Sequence, residues 1–112
     1  MTRRIVDRLD DITAAAEAIQ AHTERGPLTD GLIFDAVRIR LVEIGEAVKA
    51  LPAEVTDSEP EVPWRDVAGM RDFLAHRYFD TAFGVLAHTV EHELPLLETA
   101  VRRLRTRLES AE

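Results

Sequence analysis

A chain of 112 residues, 46% apolar and 31% charged, is long enough to bury one core and too short for two domains. It has no cysteine, which excludes disulfides, thiol catalysis and cysteine-liganded zinc. A net charge of −7 argues against broad affinity for nucleic acid. No apolar run approaches the ~20 residues that cross a bilayer, and the N-terminus is charged where a signal peptide is apolar, so a cytoplasmic protein with no membrane contact is expected.

Ile5, Leu9, Ile12, Ala16 and Ile19 recur at steps of four and three, the spacing that lines one helix face, and predict a first helix over about residues 3–22. Gly26-Pro27 breaks the pattern, and Thr29 or Asp30 can cap the next helix by accepting a hydrogen bond from a free backbone N–H. That second helix extends to about Leu51, with Ile33, Val37, Leu41, Ile44, Val48 and Leu51 facing inward. Gly45 in its middle costs up to ~1 kcal/mol relative to alanine, which points to a close backbone contact there.

Pro52 ends the second helix. Residues 52–63 carry Glu54, Asp57, Glu59 and Glu61 with no basic residue, and read as an exposed acidic connection. Pro63 introduces a third helix from Trp64 into the 71–78 window, with Trp64, Val67, Met70 and Leu74 as its apolar side. Asp80 or Thr81 can cap a fourth stretch, in which Leu86, Val90, Leu94, Leu97, Val101, Leu104 and Leu108 step by four and three. Pro95 within it predicts a kink or a fresh helix start. No segment alternates apolar and polar residues over a strand's length. The expected fold class is all-α, an antiparallel four- or five-helix bundle forming a single domain over residues 1–112.

Residues 71–78 gather the groups a phosphate-handling site uses: Arg71, Asp72, His76, Arg77 and Tyr78. Arginine keeps its charge and offers a planar fork of donors to phosphate oxygens, while histidine exchanges a proton near neutral pH. Asp72 and His76 are four apart and share a helix face, so the carboxylate can orient the imidazole. Arg71 lies five residues before His76, about 140° around a helix. Either the helix ends near His76 or a second copy of the chain completes the pocket.

Read as Arg-x4-His-x-Tyr, this window resembles the signature of the HepT-like (DUF86) HEPN-domain ribonuclease toxins. The flanks agree: Ile44-Gly45-Glu46-Ala47, Pro63-Trp64, Gly69-Met70-Arg71, Tyr78-Phe79-Asp80 and Leu94-Pro95-Leu96-Leu97 all match stretches typical of that family. The resemblance implies a HEPN-like bundle and a metal-independent endoribonuclease that needs no cofactor. It further implies a homodimer, with the two windows lining one cleft. Arg71 and His76 would be catalytic, with Asp72 in support, and attack by the ribose 2′-hydroxyl would leave a 2′,3′-cyclic phosphate. The implied partners are RNA and a nucleotidyltransferase antitoxin that silences the toxin by moving AMP onto Tyr78. The chain departs from the family at Asp72, where asparagine is common; the extra negative charge predicts weaker activity.

Other signals compete. His88-Thr89-Val90-Glu91-His92 fits a His-x-x-Glu-His zinc pattern, but the further carboxylate must come from Glu93, Glu98 or Glu109, and the two histidines read as surface residues flanking the apolar stripe. Arg102, Arg103, Arg105 and Arg107 form a basic cluster; with Arg77, Arg102 and Arg103 are candidate RNA contacts, against a plain solvated helix face. The alternative to a ribonuclease is a non-catalytic helical subunit that binds a nucleotidyltransferase or that enzyme's substrate.

Overall fold

The computed structural model describes residues 2–75 and 79–111, without the side chains of residues 2, 3 and 79–81; the expectations placed on His76, Arg77 and Tyr78 lie outside the described residues. Six α-helices occur in chain order among those described: α1 (Thr2–Arg25), α2 (Gly31–Lys49), α3 (Ala53–Thr56), α4 (Trp64–Ala75), α5 (Phe79–His88) and α6 (Leu94–Ala111). There is no strand among them, so the all-α expectation holds. α2 sits between α1 and α4, and α6 packs on the other side of α1.

The apolar stripes make the core. Leu9, Ile12, Ala16 and Ile19 of α1 meet Ile33, Val37, Leu41, Ile44 and Val48 of α2, and all are buried. Val67, Met70 and Leu74 close the core from α4, and Leu97, Val101 and Leu104 from α6. Of the two candidate caps for α2, Asp30 performs the role: its carboxylate accepts from the Leu32 N–H at 2.9 Å. Asp80 and Thr81, expected to cap the next stretch, instead lie inside α5, which already runs from Phe79.

One further expectation is corrected and another takes a specific form. Residues 52–63 are not an exposed connection: α3 and a series of turns fold them against the bundle, and Glu59 and Val62 are buried. The fresh helix start expected at Pro95 is found: α6 begins at Leu94, with Pro95 in its first turn. A π-helical turn, Thr89–Glu93, joins α5 to α6, and the Leu94 N–H reaches back to the Thr89 carbonyl. Proline at 95 has no N–H to donate and its ring crowds the carbonyl four residues back, so a wider turn just before it relieves the conflict without a break. The buried path then runs Leu86, Thr89, Leu94, Leu97, a step of five in place of the expected Leu86, Val90, Leu94. Thr89 satisfies its hydroxyl by donating to the Val85 carbonyl at 2.8 Å.

Candidate active site

Arg71 is placed by the crossing of α2 and α4, and Gly45 sets how close that crossing is. A methyl group at Gly45 would lie 3.1 Å from the Arg71 backbone nitrogen, 3.1 Å from the Val67 carbonyl oxygen and 3.3 Å from that of Ala68. These are backbone atoms, which cannot swing aside. Glycine is therefore required for the approach, as its cost in mid-helix implied.

The next residue, Glu46, uses that approach. Its carboxylate forms an ion pair with Nε of Arg71, while Asp72 accepts from Nη1 at 3.0 Å. The side chain of Arg71 remains 47% exposed, and on its outer edge, Nη1 and Nη2, the Asp72 carboxylate already holds Nη1. That edge is the fork that takes two phosphate oxygens at once. Asp72, expected to orient His76, is seen here bound to Arg71, its neighbour in sequence.

A second cross-helix contact steadies the same end of α4. Arg38 on α2, half-buried, donates from Nη1 to the Leu74 carbonyl at 3.1 Å, putting a cation where the carbonyls late in a helix carry partial negative charge. Glu46 and Arg38 were not singled out from the sequence. Each acts on a residue 25 or more positions away, and both lie just off the apolar stripe of α2, where spacing reads them as ordinary solvated charges.

A groove of about 570 Å³ runs between α4 and the α5 to π-turn segment, walled by Asp66, Met70, Phe73, Val85, His88 and Glu93. Arg71 is not in its wall, being two residues and about 200° around α4 from Phe73. The rings of His88 and His92 lie with centroids 4.8 Å apart, tilted by 43°, and both residues are exposed. No group of three or more His, Asp or Glu side chains among the described residues is arranged to hold a metal ion, so the pair acquires no third ligand there.

The arginines of α6 are mostly engaged. Arg103 donates to Glu59 through Nε at 3.0 Å and Nη2 at 2.6 Å and also pairs with Glu61; Arg107 reaches the other Glu59 oxygen at 2.7 Å. The Glu59 side chain is only 4% exposed, and the Trp64 indole N–H fastens its backbone by donating to its carbonyl at 2.9 Å. Hydrogen bonds from Arg103, supported by Arg107, hold the Glu59 carboxyl down at about 2, overcoming the upward push of burial. Arg105 pairs with Asp10 of α1 and with Glu109. Arg102 is exposed and makes no ion pair among the described residues.

Comparison with known proteins supplies what geometry cannot. A protein of Thermococcus cleftensis named "Probable ribonuclease HepT" is 38% identical over 109 residues, covering 94% of this chain and 99% of that one. The "Putative RNase" of Caldanaerobacter subterraneus is 43% identical over 67 residues, 59% of this chain and 60% of its own. A Methanocaldococcus jannaschii protein named as a gamma-glutamylcyclotransferase and putative RNase is 32% identical over 101 residues, 90% of this chain but 46% of its own length. No solved structure matches the chain. The sequence pattern of the family described as "Ribonuclease HepT-like" matches residues 5–104, which span α1 to most of α6, and the chain belongs to that family.

Proposed function

We propose that this chain is a metal-independent endoribonuclease, acting in the cytoplasm as the toxin of a bacterial toxin-antitoxin pair. The observation that carries the reading is Arg71: a permanent cation tied to the bundle through Nε and still half-exposed, in a chain of the ribonuclease HepT-like family. His76 takes the proton of the ribose 2′-hydroxyl or returns one to the leaving oxygen. Arg71 stabilises the charge that builds on the phosphate. Arg77 and Arg102 are proposed contacts for neighbouring RNA phosphates; Arg103 joins them by exchanging Glu59 for RNA.

A homodimer with both windows in one cleft is part of the proposal. In its support, Leu32, 79% exposed, and Ile39, 50% exposed, lie seven residues apart on α2, and seven more lead to Glu46. Two turns of helix per step put all three on one face, so exposed apolar surface borders the Arg71 site. The proposed antitoxin is a nucleotidyltransferase that moves AMP onto the Tyr78 hydroxyl, adding bulk and negative charge beside the motif.

The deciding experiment incubates the purified chain with RNA in excess EDTA, beside His76→Ala and Arg71→Ala, and determines the product ends. Cleavage by the wild type alone, leaving 2′,3′-cyclic phosphate and sparing DNA, is expected. Intact RNA with folded, unmodified wild type would sink the ribonuclease reading. Cleavage that needs added zinc would sink its metal independence.

A further inference from the structure

We infer that Glu46 is a positioning residue for Arg71, fixing the guanidinium so that its outer edge meets the phosphate; the inference rests on the ribonuclease reading for its catalytic consequence but not for its geometry. Two carboxylates touch Arg71, and they are not equivalent. Asp72 is the next residue on the same helix, 72% exposed, and moves with the arginine it holds. Glu46 belongs to α2, which is packed between α1 and α4, so it ties the guanidinium to the rigid part of the bundle.

The atom it uses matters as much as the helix it comes from. A guanidinium offers two forked edges, one made by Nε with Nη2 and one by Nη1 with Nη2. By occupying Nε, Glu46 removes the first edge from use; the second is the one that can clasp a phosphate pairwise, with the exposed Asp72 giving up Nη1 to it. Gly45 contributes to the same arrangement: because α4 lies against its Cα, the Arg71 backbone is within reach of the side chain one residue along. Without Glu46, a half-exposed arginine returns to several rotamers and must be ordered again at each turnover.

The same carboxylate adds negative charge near an incoming phosphate, so its removal has a signature that loss of fold or of substrate affinity does not. In Glu46→Ala, kcat falls about 10- to 100-fold, the scale of a slightly misplaced catalytic group, while KM stays level or drops. Glu46→Gln keeps an oxygen for Nε and discards the charge; its kcat stays near wild type, with a lower KM. The placement itself is read without RNA from the Nε–H signal of Arg71 by NMR, assigned as the one lost in Arg71→Lys. In wild type and Glu46→Gln that proton exchanges slowly with water, and in Glu46→Ala it exchanges as in a free side chain.

An unchanged Nε–H signal in folded Glu46→Ala overturns the inference, as does a kcat that holds or rises once the signal has collapsed. If wild type cuts no RNA, the ribonuclease reading fails, and the NMR comparison still decides whether Glu46 places Arg71.

Discussion

The Glu46, Arg71 and Asp72 cluster and the Glu59, Arg103 and Arg107 cluster use the same acid–arginine chemistry and differ in where the acid sits. Glu46 is 53% exposed and holds an arginine by Nε, and that arginine stays 47% exposed with the more accessible Asp72 on Nη1. Glu59 is buried, takes both arginines on its two oxygens, and leaves little of either carboxylate oxygen for water. A water-facing pair contributes little to stability because solvent competes for both partners. A carboxylate out of water must keep its hydrogen bonds or pay heavily for losing them. One cluster therefore presents a charge and the other fastens a loop.

Removing one arginine tests the division most sharply. Arg71→Ala is expected to lower kcat for RNA about 100- to 1,000-fold, the cost of deleting one charge stabiliser, and to move folding stability by less than about 1 kcal/mol in a urea titration. A large loss of stability would mean that Arg71 is structural and that the two clusters are alike. Glu59→Ala should do the reverse, costing about 2 kcal/mol, the range for hydrogen bonds to a charged group, with kcat unchanged where both proteins are folded. The figure stays below that of a fully buried pair because the two arginines can turn to water.

Acid titration separates the clusters again. The Glu59 carboxyl is lowered from the ordinary 4.5 to about 2 in the folded chain. Its contribution is therefore complete above about pH 4.5 and is lost as pH falls toward 2, where the folded form also takes up the proton. Urea midpoints of wild type and Glu59→Gln should differ at pH 7 and converge near pH 2; a gap constant across that range would refute the assignment.

The smallest effects come from two glycines beside the site. Gly45→Ala gains helix propensity but must push the α4 backbone away, and a net loss of about 1 kcal/mol is expected, with slower cleavage as Arg71 moves. Gly69→Ala meets nothing within 4 Å and should stabilise by about 0.5 to 1 kcal/mol, read as a rise in Tm. Equal responses would mean that Gly45 does not set the helix approach.

Much of the bundle was legible because its core obeys a local rule. Apolar residues three and four apart identified α1, α2, α4 and α6, and a glycine out of place in α2 correctly signalled a close approach. The missed charge contacts share a cause, which is that they depend on residues far apart in sequence. Glu59 looked solvated among prolines and other acids because its partners come 44 and 48 residues later. Glu46 was visible as part of a family stretch, while its ion pair with Arg71 was not. Arg71 and Asp72 were found from the sequence and the structure joins them to each other; the rest of the expected site, His76, Arg77 and Tyr78, lies outside the described residues.

The π turn hid for a different reason: Leu86, Val90 and Leu94 satisfy fours by accident, while the interior uses Thr89. That turn acts as a phase shifter. It holds one residue more than an α-turn, and each residue rotates the helix beyond it by about 100°. Deleting one residue from Thr89–Glu93 would leave every downstream side chain in place along the sequence and turned the wrong way in space. Leu97, Val101 and Leu104 would leave α1, and Arg103 and Arg107 would no longer point at Glu59. The charge pair that fastens the acidic loop is thus aimed by a single extra residue fourteen positions upstream of its first arginine.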